Sequence, residues 1–135
     1  MTTYASFVTA LTGMTVSGMK NMYATPISKA DTAQLPCLFP MTLLGESRMA
    51  IQGGSAHHNV RTVPLVVLMN PVGASNLAQD FSATQTMLDA LDAALKTLES
   101  TANYDLAWAA DVGVFDLAGQ PFRAISLEVT MGEVD

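Results

Sequence analysis

Few side chains in this chain could carry out catalysis or hold a metal. His57 and His58 are the two histidines, and Cys37 is the one cysteine. Adjacent residues on a strand point to opposite faces, so His57 and His58 converge on one metal only where the backbone is irregular. Cys37 and Glu46 show no recognised ligand spacing, and a structural zinc site needs a full tetrahedral set of such groups. The expectation is a polar loop at His57-His58, with no metal and no cofactor.

Asp89 and Asp92 stand three apart and could act as paired carboxylates. Lys96 lies four residues beyond Asp92, the spacing of an exposed ion pair on a helix, and catalytic carboxylates need a concave site as well. The salt bridge is the stronger reading. Asp105, Asp111 and Asp116 fall on a strand and its turn, and are expected to face solvent or a lumen. Gly53-Gly54-Ser55 is not followed by Gly-Lys-Ser/Thr, so it is no phosphate cradle. G-x-S-x-G, H-E-x-x-H and C-x-x-C do not occur. The chain therefore reads as a protein that is not an enzyme, with no catalytic residues to name.

The elements that position these residues centre on Asn76–Glu99. Leu77, Phe81, Leu88, Leu91, Leu95 and Leu98 recur at helical spacing, with Gln79, Ser82, Gln85, Asp89, Asp92 and Lys96 on the opposite side. Asn76 is the expected N-cap, with Gln79 three residues on and Asp80 adding negative charge to the first turn. Such a helix is a rod of roughly 35 Å. Before it, Tyr4, Phe7, Val8 and Leu11 mark a short amphipathic helix that stops near Gly13.

Strands are expected at Met19–Ala24, over Cys37–Ile51 with Pro40 at an edge or bend, and over Val60–Met69. Pro64 in the last of these argues for a bulge or edge. After the long helix, Tyr104–Phe115 alternates in the manner of a half-buried strand. Leu117-Ala118-Gly119-Gln120 turns the chain into Phe122–Met131, closing a hairpin. Between the strands, Gly45–Val60 is long for a connection. It carries Arg48, Met49, Ile51, His57 and His58 and runs into Arg61, the six residues expected to form an assembly interface, as a contact arm or as the tip of a long hairpin. Together the elements predict one α+β domain over residues 1–135. Its sheet is mostly antiparallel, with a short N-terminal helix and one long central helix packed on one face.

Composition narrows the function. Half of the 135 residues are apolar and only 13% are charged, which implies either a membrane segment or apolar surface covered by a partner. The longest strongly apolar run, Val63–Met69, is far short of the ~20 residues that a spanning helix needs. MTTYASFVTALTGM lacks the basic n-region of a secretory signal. Partner-covered surface is what remains, and a homo-oligomer is expected. The net charge of −6, with scattered basic residues, does not suit gripping nucleic acid, although an acidic wall can stand beside DNA without binding it. One cysteine allows no internal disulfide, which suits a reducing compartment.

Several stretches carry a resemblance. They are the F-V-x-x-L helix (Phe7 to Leu11), A-x-L-P-C-L (Ala33 to Leu38), the strand led by Arg61, and D-x-L-D-A-A-L (Asp89 to Leu95). The closing hairpin adds Trp108 and G-Q-P-F-R (Gly119 to Arg123). With these, the chain resembles tail-terminator or tail-completion proteins of long-tailed bacteriophages, the lambda-like minor tail group, over nearly its whole length. The resemblance implies a structural virion protein at the head-proximal end of the tail, assembled in the host cytoplasm. It would form a ring, expected to be a hexamer, that ends the tail tube. Its partners would be the tail tube protein and the head connector or completion protein, with DNA passing through the lumen unbound and no membrane involved. The alternatives are another neck or tail-tube subunit, such as a head-completion adaptor, and a small ligand-binding or enzymatic α+β domain.

Overall fold

A computed structural model describes residues 3–41, 48–52, 58–73, 77–102 and 104–134. The element order is α1 (Tyr4–Gly13), β1 (Asn21–Met22), a short 3-10 turn at Thr32–Gln34, β2 (Cys37–Pro40), β3 (Arg48–Gln52), β4 (His58–Pro71), α2 (Leu77–Thr101), β5 (Asp105–Leu117) and β6 (Gln120–Val134). The strands form one six-stranded sheet in the order β1-β2-β4-β6-β5, with β3 also on β4. Every pairing is antiparallel except β1 with β2. The α+β class, the short first helix, the long helix and the closing hairpin are all as the periodicities predict.

One expected strand, Cys37–Ile51, is two. β2 pairs with β4 at Leu65–Leu68, and β3 pairs with β4 at His58–Thr62, so both lie along the same side of β4 at different heights. Pro64 sits between these two contacts. Its carbonyl accepts from the Met41 amide at 3.0 Å, so its nitrogen, which has no hydrogen to donate, also faces the gap between β2 and β3. A proline inside the central strand is tolerated because, among the described residues, neither β2 nor β3 pairs with β4 at Pro64. The one register irregularity of β4 on β6 is elsewhere, between Leu68 and Asn70.

The two helices cover one face of the sheet. Phe7 and Leu11 of α1 and Met87, Leu91, Ala94 and Leu95 of α2 pack on Val63, Leu65, Val67, Ile125, Leu127, Val129 and Met131, all buried. Thr3 caps α1: its hydroxyl accepts from the Ser6 amide while the Ser6 hydroxyl accepts from the Thr3 amide. The expected N-cap of α2, Asn76, lies outside the described residues. A second, smaller core fills one end of the opposite face. There Cys37, Phe39, Val66, Leu68, Phe122 and Ala124 are covered by Tyr23, Ile27 and Ala30 from the connection between β1 and β2, and by Leu35.

The β5–β6 turn is a two-residue loop with Ala118 at φ 53° and Gly119 at φ 81°. Both signs are those of a type I′ turn, whose hand matches the twist of the strands. Glycine takes this conformation without strain, but alanine does not. Ala118→Asn is therefore expected to raise stability by about 0.5–1 kcal/mol, read as a higher denaturation midpoint with an unchanged slope.

Candidate interaction surface

The six residues expected to form the assembly interface divide. Arg48, Met49 and Ile51 lie on β3 and His58 opens β4, and these two strands pair antiparallel. His57 lies outside the described residues. Arg61 is buried, 5% exposed, opposite Met131 on the helix-covered face and 3.9 Å from the Glu133 carboxylate. In the isolated subunit its side chain is covered by the rest of the fold. Beside it, Tyr104 meets Phe7 edge to face at 5.7 Å. Burial, and to a smaller degree the nearby Glu133 charge, raise the Tyr104 phenol above its ordinary pKa.

Cys37 is fully buried, and desolvation pushes its thiol up to about 11, against a smaller lowering by the Leu68 backbone. A thiol in that state is protonated at neutral pH. Among the described residues, no group of three or more His, Cys, Asp or Glu could hold a metal ion, and no helix is long and apolar enough to cross a membrane. A cleft of about 490 Å³ between α1 and the Ala24–Pro26 and Pro40–Met41 segments is lined mainly by Tyr4, Val8, Pro26, Pro40, Met41 and Val63, with no charged side chain.

The Asp92–Lys96 pair forms as its spacing predicts, at 2.8 Å, and Asp92 also accepts from the Trp108 indole at 3.1 Å, joining α2 to β5. The hydrogen bond from Lys96 is the main reason the Asp92 carboxyl sits below its ordinary value of 3.8; desolvation opposes it, and the Lys96 charge and the Trp108 bond add smaller lowerings. With the folded pKa depressed, the contact is complete above the ordinary value and is lost as pH falls through the lowered one. Trp108 is the only tryptophan, so its emission should titrate with a midpoint below 3.8 and lose that step in Asp92→Asn.

The surfaces that stand out were not among the expected site residues. Every large apolar side chain that is clearly exposed, among the described residues, belongs to one corner: Val72 at 39%, Leu77 at 70%, Phe81 at 67%, Val112 at 58% and Val114 at 61%. Leu77 and Phe81, expected to pack inward, instead flank an open cleft of about 360 Å³ between the first turns of α2 and β5. At its base the buried Asp80 holds Arg123 in an ion pair of 2.7 Å and accepts from Asn70 at 3.3 Å. This pair fixes where α2 begins over the sheet, and Leu91 and Leu95 carry the helix down onto the core only further along.

The second surface, left uncovered by the described residues, is the end of the sheet face away from the helices. Register places Thr62, Pro64, Ala107, Ala109, Asp111, Ser126, Glu128 and Thr130 there, with Asp105 beyond. Asp105, Asp111 and Glu128 are exposed, so the panel is small-residued and acidic. The Thr62 and Thr130 hydroxyls hydrogen-bond across it at 3.0 Å. A comparison with protein-family models finds no match, and neither does a comparison with curated proteins.

Proposed function

We propose that this chain is a structural subunit of a long-tailed phage, a tail terminator that forms a ring at the head-proximal end of the tail. The observation that carries the reading is that one subunit has two bare surfaces of opposite character. The apolar corner at Leu77, Phe81, Val112 and Val114 is suited to burial against protein. The acidic panel with Asp105, Asp111 and Glu128 is suited to line a passage for DNA, repelling phosphate without gripping it. Six copies at −6 each would give the ring a formal charge of −36. In this reading the protein acts by fit: the ring matches the last ring of tube subunits, covers their polymerising surface and presents its other side to the head connector. No catalytic residue is required.

The test is addition of the purified protein to growing tail tubes. Tubes should stop lengthening, with density for a ring at one end only, and the added protein should then allow heads to attach. Tubes that grow unchanged and carry no end density would refute the terminator role. Density at many positions along the tube would favour a tube subunit instead.

A further inference from the structure

We propose that the β5 edge and the apolar corner beside it receive the β1 edge of a second copy of this chain, so that subunits join head to tail. The inference deepens the ring reading and rests on it only for closure into a ring. β5 and β1 are the two ends of the sheet, and β5 offers thirteen residues of backbone paired on one side to β6 and, among the described residues, to no other strand. The Leu106 amide at its start is taken by the Glu99 carboxylate at 2.7 Å, and the stretch beyond it, flanked by uncovered Phe81, Val112 and Val114, is a template for strand addition.

Charge selects the partner. Residues 1–71, which build β1 to β4, hold Lys20, Lys29, Arg48 and Arg61 against Asp31 and Glu46, a formal +2. Residues 72–135, which build α2, β5 and β6, hold Lys96 and Arg123 against ten acids, a formal −8. At the edges themselves, the β1 side carries Lys20 and Lys29 against Asp31, whereas β5 carries Asp105, Asp111 and Asp116 and no cation. A symmetric β5–β5 contact would set one row of Asp105, Asp111 and Asp116 against the same acidic row of the other copy, whereas a head-to-tail contact sets it against the lysine-bearing edge.

The register agrees. Asn21 is level with Cys37, Leu68, Ala124 and finally Gly113, following the pairings across the sheet. β1 and β5 run in opposite directions, because β1 is parallel to β2 and the three steps from β2 to β5 are antiparallel. A second copy turned about an axis along the strands therefore brings its β1 antiparallel to β5 at Gly113 with no shift. That places Met22 opposite Val112 and Lys20 opposite Val114, one pleat from Asp116 on the same face. Apolar meets apolar and cation meets anion. An unshifted repeat is also what a closed ring needs, since a shift at each step would give a helix.

The test is a charge cycle read by sedimentation equilibrium of the purified protein, without tubes. Lys20 and Asp116 are both exposed, so reversal leaves the fold intact, checked by unchanged thermal melts. Lys20→Glu and Asp116→Lys should each weaken self-association about tenfold, and the double reversal should recover most of that loss. Val112→Lys, at the centre of the contact, should weaken it further and not be rescued by either reversal. A Lys20→Glu protein that associates like the parent, a double variant no better than the singles, or a parent that stays monomeric at all concentrations would overturn the inference. A protein that obeys the cycle yet never caps tubes would keep this contact and end the terminator reading.

Discussion

A subunit carrying Phe81→Gln and Val112→Thr should melt like the parent as a monomer and fail to assemble. Phe81 is 67% exposed and Val112 58% exposed, so neither supports the isolated fold by much. Glutamine is a good helix former and threonine keeps the branched shape suited to a strand, which holds the cost to about 0.5 kcal/mol. At a junction the same side chains are buried. Losing roughly 2 kcal/mol for the phenyl ring and about 1 kcal/mol for the valine weakens each contact by about a hundredfold. Thermal melts at low concentration and sedimentation at high concentration separate the two effects. An assembled double variant would mean that the corner faces something other than a neighbouring copy.

Asp80→Ala is expected to do the reverse, destabilising the subunit itself. The carboxylate is 6% exposed, 2.7 Å from the Arg123 guanidinium and 3.3 Å from the Asn70 amide that donates to it. Alanine leaves a half-buried arginine and a half-buried amide without their acceptor. Breaking one side of a buried pair costs about 3 kcal/mol, a large fraction of the roughly 5–15 kcal/mol that holds a domain together. The loss should appear as a lower urea midpoint. Arg123 is 30% exposed and can turn toward water, so the effect should stay below that of a fully enclosed pair. A midpoint equal to the parent's would show that the pair does not anchor the start of α2.

These two residues also mark what the sequence makes legible. Helical spacing identifies Leu91 and Leu95 as core and places Asp92 four residues from Lys96, because those relations are local to one helix. The alternation of Tyr104–Phe115 and the turn at Ala118-Gly119 likewise declare a hairpin from neighbouring residues. Leu77 and Phe81 obey the same helical spacing, yet they are exposed. Periodicity says which residues share a face and is silent on whether another layer lies beneath it. Asp80 looks like a first-turn acid, and its burial depends on Arg123, forty-three residues away on another strand. The split of Cys37–Ile51 into β2 and β3 is of the same kind, since both strands reveal themselves only by where they meet β4. The acidic panel lies between these cases. Asp105 and Asp111 are expected to face outward, but their company with Glu128 follows only from the register of β5 on β6.

The central claim is that this subunit closes into a ring, and native mass spectrometry of the purified protein addresses it most directly. At 14.3 kDa per chain, a six-membered ring has a mass of about 86 kDa, six times that value. One dominant closed species near that mass is expected, held across dilution and lost in the Phe81→Gln, Val112→Thr variant. A single species at 14.3 kDa at every concentration, or an open ladder of masses with no preferred size, would contradict it.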